Sequence, residues 1–128
     1  YEQAQSANEY QEVAAAFQAV AELPGAPTPI RNEAWTKAGI ALEKAGLPDP
    51  ALAAYHTVLD TPQTELPDHF WFYKAGFEAA RLLEEQKLFK EAVAVYRKMA
   101  ASEGPRAAEA EERVKRLRLE NFLWDEAP

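Results

Sequence analysis

The stretch Trp35-Thr36-Lys37-Ala38-Gly39-Ile40-Ala41-Leu42, followed by Ala51-Leu52-Ala53-Ala54-Tyr55 and closed by Pro62, decides the fold. Trp35, Ala38, Gly39 and Leu42 recur at the three- and four-residue steps that put side chains on one helix face. Ala51 and Tyr55 lie one helical turn apart on the next segment. A glycine inside a helix costs about 1 kcal/mol relative to alanine. Close approach of a neighbouring helix is the physical reason to keep one there. The pattern recurs as Phe72-x2-Ala75-Gly76-x2-Ala79, then Ala92-x3-Tyr96 and Pro105, with Gly76 read as the counterpart of Gly39. A helix pair of this kind buries its face by stacking on copies of itself.

Working outward, glycines and prolines divide the chain into six helical segments. The first runs from about Tyr1 to Leu23 and stops at Pro24-Gly25-Ala26-Pro27, where proline cannot continue a helix. Thr28-Pro29 reads as a cap with proline in the first turn, and the second segment runs to about Ala45, before Gly46. Asp49-Pro50 opens the third, which ends near Asp60. Asp68 caps the fourth, which reaches about Gln86. The fifth spans about Phe89 to Ser102, and the sixth about Pro105 to Trp124. No segment alternates with period two, so no strand is expected. The fold class predicted is all-α: an antiparallel helix-turn-helix solenoid with a C-terminal capping helix.

These motifs resemble the tetratricopeptide repeat (TPR) family, whose signature is W-x2-L-G-x2-Y, then A-x3-F, then P. Trp35, Gly39, Gly46, Ala51, Tyr55 and Pro62 fall near the family spacing, with Ala38 and Leu42 as apolar departures from it. The resemblance implies one TPR-like domain over 1–128: a partial repeat over 1–24, repeats over 29–62 and 68–104, and a capping helix over 105–124. Gly39 precedes Ala51 by 12 residues, whereas Gly76 precedes Ala92 by 16, which reads as a fourth segment lengthened by one turn. Asn8-x-Tyr10-x2-Val13-x3-Phe17-x2-Val20 resembles a turn and the second helix of a repeat. On that reading the first segment splits near Ser6 to Asn8. The missing first half, and a chain that opens on Tyr1, suggest a piece of a longer protein.

Composition narrows the function classes. The net charge of −7 argues against a nucleic-acid footprint, which needs a basic patch. The first 30 residues carry four Glu and no Lys or Arg, an ordinary solvated face or an acidic surface for a partner. Without cysteine there is no disulfide or thiolate chemistry, and a cysteine-free chain suits cytoplasm and periplasm alike. No apolar run approaches the roughly 18 residues of a membrane span. His56 and His69 lack a ligand-like partner one turn away, so no metal or other cofactor is expected. Glu84-Glu85 and Glu111-Glu112 read as solvated faces, and Asp68-His69 as a helix cap. No nucleophile elbow or phosphate loop appears, and the chain does not read as an enzyme.

The run Phe70-Trp71-Phe72-Tyr73 makes the start of the fourth segment apolar nearly all round. In the resembled family the first helix of each repeat lines a concave groove. Carried over, the groove face comprises Glu33, Thr36, Ile40 and Lys44 on the second segment, and Phe70, Tyr73, Phe77 and Arg81 on the fourth. With Thr36, Ile40 and Phe77 where some members carry carboxylate-holding Lys and Asn, a C-terminal carboxylate clamp is not expected. The expected function is a non-catalytic protein–protein interaction scaffold that binds a peptide or helix, with no nucleic acid and no membrane insertion. The alternatives are a homo-oligomerising structural module driven by Phe122 and Trp124, or a regulatory domain attached to an enzyme.

Overall fold

The computed structural model describes residues 2–62 and 68–121, with side chains from Ser6 onward. The described chain is all-helical: α1 (Glu2–Ala21), α2 (Thr28–Lys44), α3 (Pro48–Leu59), α4 (His69–Glu85), α5 (Phe89–Ala100) and α6 (Ala107–Glu120). It divides into two compact units, residues 1–75 and 76–128, the division falling within α4. Phe122, Leu123 and Trp124 lie outside the described residues.

In the first unit α1 packs on α2 and α2 on α3. The single helix α1 runs without a break through Ser6 to Asn8, so the expected split there does not occur. Nothing in that stretch breaks a helix: Ser6 and Asn8 are exposed, and neither glycine nor proline is present. Thr28 and Asp49 lie just inside their helices and cap neither of them; Pro27 and Leu47 occupy the cap positions. Asp68, by contrast, does cap α4, its Oδ1 accepting the Trp71 backbone N–H at 3.5 Å. Its other oxygen accepts a bond at 3.1 Å from the amide of Asn32, a buried polar residue of α2.

The helix pairs α2–α3 and α4–α5 are the same length throughout. Every boundary of the second pair lies 41 residues after its counterpart: Thr28 and His69, Lys44 and Glu85, Pro48 and Phe89, Leu59 and Ala100. In this register Ala34 matches Ala75, Ala38 matches Ala79, Leu42 matches Leu83, Glu43 matches Glu84, Ala51 matches Ala92 and Tyr55 matches Tyr96. The fourth segment is therefore not lengthened. Gly39 corresponds to Ala80, and Gly76 corresponds to Trp35. Gly76 is buried within α4, but its place in the repeat is not that of Gly39.

Two bonds recur in the same register. Each pair turns through a Schellman motif. After α2, the Gly46 N–H reaches Glu43 O and the Leu47 N–H reaches Leu42 O, both at 2.9 Å. After α4, Lys87 N–H reaches Glu84 O and Leu88 N–H reaches Leu83 O, again at 2.9 Å. The motif demands a left-handed residue, supplied by Gly46 at φ 80° and by Lys87 at φ 62°. The second helix then returns a tyrosine hydroxyl to a carboxylate at the end of the first: Tyr55 to Glu43, and Tyr96 to Glu84 at 2.5 Å.

In the second unit α6 packs on α5 through buried Ala110, Val114 and Leu117. Arg116 and Glu120 face outward, with an Arg116 amino group 3.9 Å from Glu84. Leu119, read from the sequence as part of the apolar side, is 63% exposed.

Candidate functional site

The stripe of α2 that reaches the surface beside α1 is Glu33, Lys37, Ile40 and Lys44, a 4-3-4 spacing on one helix face. Three of these four are among the residues expected at a groove. The fourth is Lys37 rather than Thr36. Thr36 is fully buried, and its hydroxyl donates to the Asn32 carbonyl at 2.7 Å. Lys37 belongs to the same stripe because it is one turn from Glu33 and two turns from Lys44. That spacing was readable from the sequence.

Opposite this stripe, α1 offers Tyr10, Val13 and Phe17. Ala14 and Ala21 seat α1 in the core, and their small side chains bring its backbone close to the neighbouring helix. The apolar arc of α1 is wider than what α2 covers, so Tyr10, Val13 and Val20 remain exposed and Phe17 half-buried. Between the helices lies a cleft of about 180 Å³ lined by Tyr10, Val13, Phe17, Lys37, Ile40, Ala41 and Lys44.

Both charged side chains lining the cleft are lysines. The Lys37 ammonium bonds Glu33 at 2.7 Å and lies 5.9 Å from the Phe17 ring centre and 5.8 Å from that of Trp71. Lys44 lies 5.7 Å from the centre of the Tyr10 ring. Such cation–π contacts at exposed sites contribute about 0.5–1 kcal/mol.

On α4 the expected groove residues scatter. Phe70 is 68% exposed and meets Trp71 edge-on. Tyr73, only 1% exposed, lies in the core against Phe72 and His69, so it presents no open face. Phe77 is half-buried, with the Arg106 guanidinium stacked 4.0 Å from its ring centre and Arg113 at 5.6 Å. Arg81 is exposed and bonds Glu78 at 2.9 Å and Glu85 at 2.8 Å. In the 41-residue register the α4 counterparts of Glu33, Lys37, Ile40 and Lys44 are Lys74, Glu78, Arg81 and Glu85. Tyr73 and Phe77 instead match the buried Asn32 and Thr36.

A second polar cluster lies where α5 meets α6. Tyr96 donates to Glu84 and accepts from Arg113 at 3.3 Å. Burial, and then the Glu84 carboxylate beside it, push the Tyr96 phenol up to about 12, while Arg113 works the other way. Arg106 grips Glu109 through two bonds of 3.0 and 2.9 Å, which hold that carboxyl below its ordinary value. Among the described residues no group of three or more His, Asp or Glu is arranged to hold a metal ion. Nor is any described helix long and apolar enough to cross a membrane.

No family model matches the chain, and no curated protein and no solved structure matches it either.

Proposed function

We propose that this chain is a TPR-type helical solenoid that works as a non-catalytic scaffold, holding a peptide or helix of a protein partner on the surface of α2. The observation that carries this reading is the cleft beside α1, where Val13, Phe17 and Ile40 form an apolar floor left open between two lysines. An apolar patch with a polar rim on a small helical protein is the ordinary chemistry of a protein-recognition surface. The 41-residue recurrence of helices, turns and tyrosine–carboxylate bonds supports the repeat architecture. The exposed carboxylates and guanidiniums of α4 and α6 pair with one another on their own helices, as in Arg81 with Glu78 and Glu85. That arrangement suits a solvated face better than an acid–base centre.

Selection of a displayed random-peptide library on the intact chain tests the reading, with Ile40→Asp as the counter-selection. Peptides that bind the parent and not the variant support a scaffold that uses this cleft. Peptides that bind both equally, or none above background, overturn it.

A further inference from the structure

We propose that the cleft between α1 and α2 takes an acidic amphipathic helix, seating one apolar side chain over Ile40 between two carboxylates two turns apart. This rests on the scaffold reading and names the partner's chemistry. A cleft of about 180 Å³ is smaller than the roughly 300–1,000 Å³ that encloses a drug-sized ligand. It has room for a side chain or two of a larger partner, inserted between Val13, Phe17 and Ile40. No carboxylate lines it, so the charge at its rim is positive although the chain as a whole carries −7.

The lysines set the partner's spacing. Lys37 and Lys44 are seven residues apart, which is about 10.5 Å along α2 at 1.5 Å per residue. A helix lying alongside α2 meets both with carboxylates at its own positions i and i+7, and places positions i+3 and i+4 over the floor. Among the described residues the contact of Lys44 is with the Tyr10 ring, not with a carboxylate, so a partner's acid there displaces no ion pair. At Lys37 the arriving acid shares an ammonium already held by Glu33. The second helix pair carries no such arrangement. Where the first has Ile40 and Lys44, it has Arg81 and Glu85, bonded to each other and neutralised on their own helix. The open, cationic and apolar combination thus belongs to α2 alone of the two register-matched helices.

Fluorescence anisotropy with labelled synthetic helices of about 15 residues, long enough to be marginally helical, tests the proposal. One probe carries Glu at i and i+7 with Leu at i+3 and i+4. The second replaces both Glu with Lys. The third moves the Glu residues to the opposite face. The first is expected to bind at least about tenfold tighter than the other two, roughly 1.4 kcal/mol. Lys44→Glu is expected to remove that preference and to bind the Lys probe better, with its circular dichroism unchanged. Equal binding of all three probes, no saturation by the first, or an unaltered preference in Lys44→Glu overturns the proposal. So does a doubling of the solution mass that Ile40→Asp abolishes, which would make a second copy the occupant. If the displayed library returns non-acidic peptides lost in Ile40→Asp, the scaffold reading stands and this assignment of the partner falls.

Discussion

Gly39 faces the ring of Tyr55 so closely that a Cβ at position 39 would lie 2.5 Å from Cε1, 2.8 Å from Cδ1 and 2.9 Å from Cζ. The ring cannot readily retreat. It is fully buried, and its hydroxyl is bonded to Glu43. Gly39→Ala adds helix propensity of up to about 1 kcal/mol, against overpacking of about 1–3 kcal/mol. The net effect is expected to be a loss of about 1–2 kcal/mol, seen as a lower urea midpoint at constant slope. Combining it with Tyr55→Leu, which removes the ring, should cost less than the two single changes together.

The two Schellman turns make a matched pair of opposite tests. Lys87 holds the left-handed conformation with a side chain, at φ 62°, where Gly46 holds it without one. Lys87→Gly is expected to raise stability by about 0.5–1 kcal/mol, in the range of other helix-cap improvements. Gly46→Ala is expected to cost about 1 kcal/mol from conformation alone, since nothing lies within 4 Å of its Cβ position. Thermal melts of the two variants, moving in opposite directions, check this.

Tyr96 gives the fold an alkaline limit. Its phenol is raised in the folded state to about 12, above the ordinary value of 10.0. The neutral form is thus favoured by folding, and its contribution is complete below pH 10 and fades as pH climbs through about 12. The stability gap between the parent and Tyr96→Phe is expected to be constant from neutrality to about pH 9 and to shrink between pH 10 and 12. Denaturant midpoints of both proteins at pH 8 and pH 11 measure it.

On α6 the two leucines should behave differently. Leu117 is buried and Leu119 is 63% exposed. Leu117→Ala is expected to cost about 2–4 kcal/mol through a cavity, and Leu119→Ala to stay within about 0.5 kcal/mol of the parent. Equal effects would show that α6 is not held by the face assigned to it.

The helices themselves were legible in the sequence, because proline, glycine and apolar periodicity act locally. The register between the helix pairs was not. Two glycines in similar local settings, Gly39 and Gly76, drew the pairs into a 37-residue alignment. That alignment carried Glu33, Thr36, Ile40 and Lys44 onto Phe70, Tyr73, Phe77 and Arg81. The structure sets the offset at 41, the value that Leu42-Glu43 and Leu83-Glu84, Leu47 and Leu88, and Tyr55 and Tyr96 already share. A slip of four residues rotates a helix face by only about 40° but shifts it by a full turn. That was enough to exchange a charged surface stripe for Tyr73 in the core. The Lys87 turn was hidden for a related reason: a left-handed lysine carries no compositional mark, and only its equivalence to Gly46 reveals it. The α1 stripe beside the cleft was misread because Ser6 and Asn8 favour turns only where the backbone has no better partner.

Each tyrosine–carboxylate bond joins residues only 12 positions apart, across a connection of three residues. Closing so short a loop costs little chain entropy, and contacts of low sequence separation form early in folding. Each helix pair can therefore assemble from its own turn before distant parts of the chain have met. Amide exchange should then show Leu42 to Tyr55 and Leu83 to Tyr96 opening as two local units, each with its own protection. A chain built this way can gain or lose a whole helix pair in evolution without relearning how to fold the remainder.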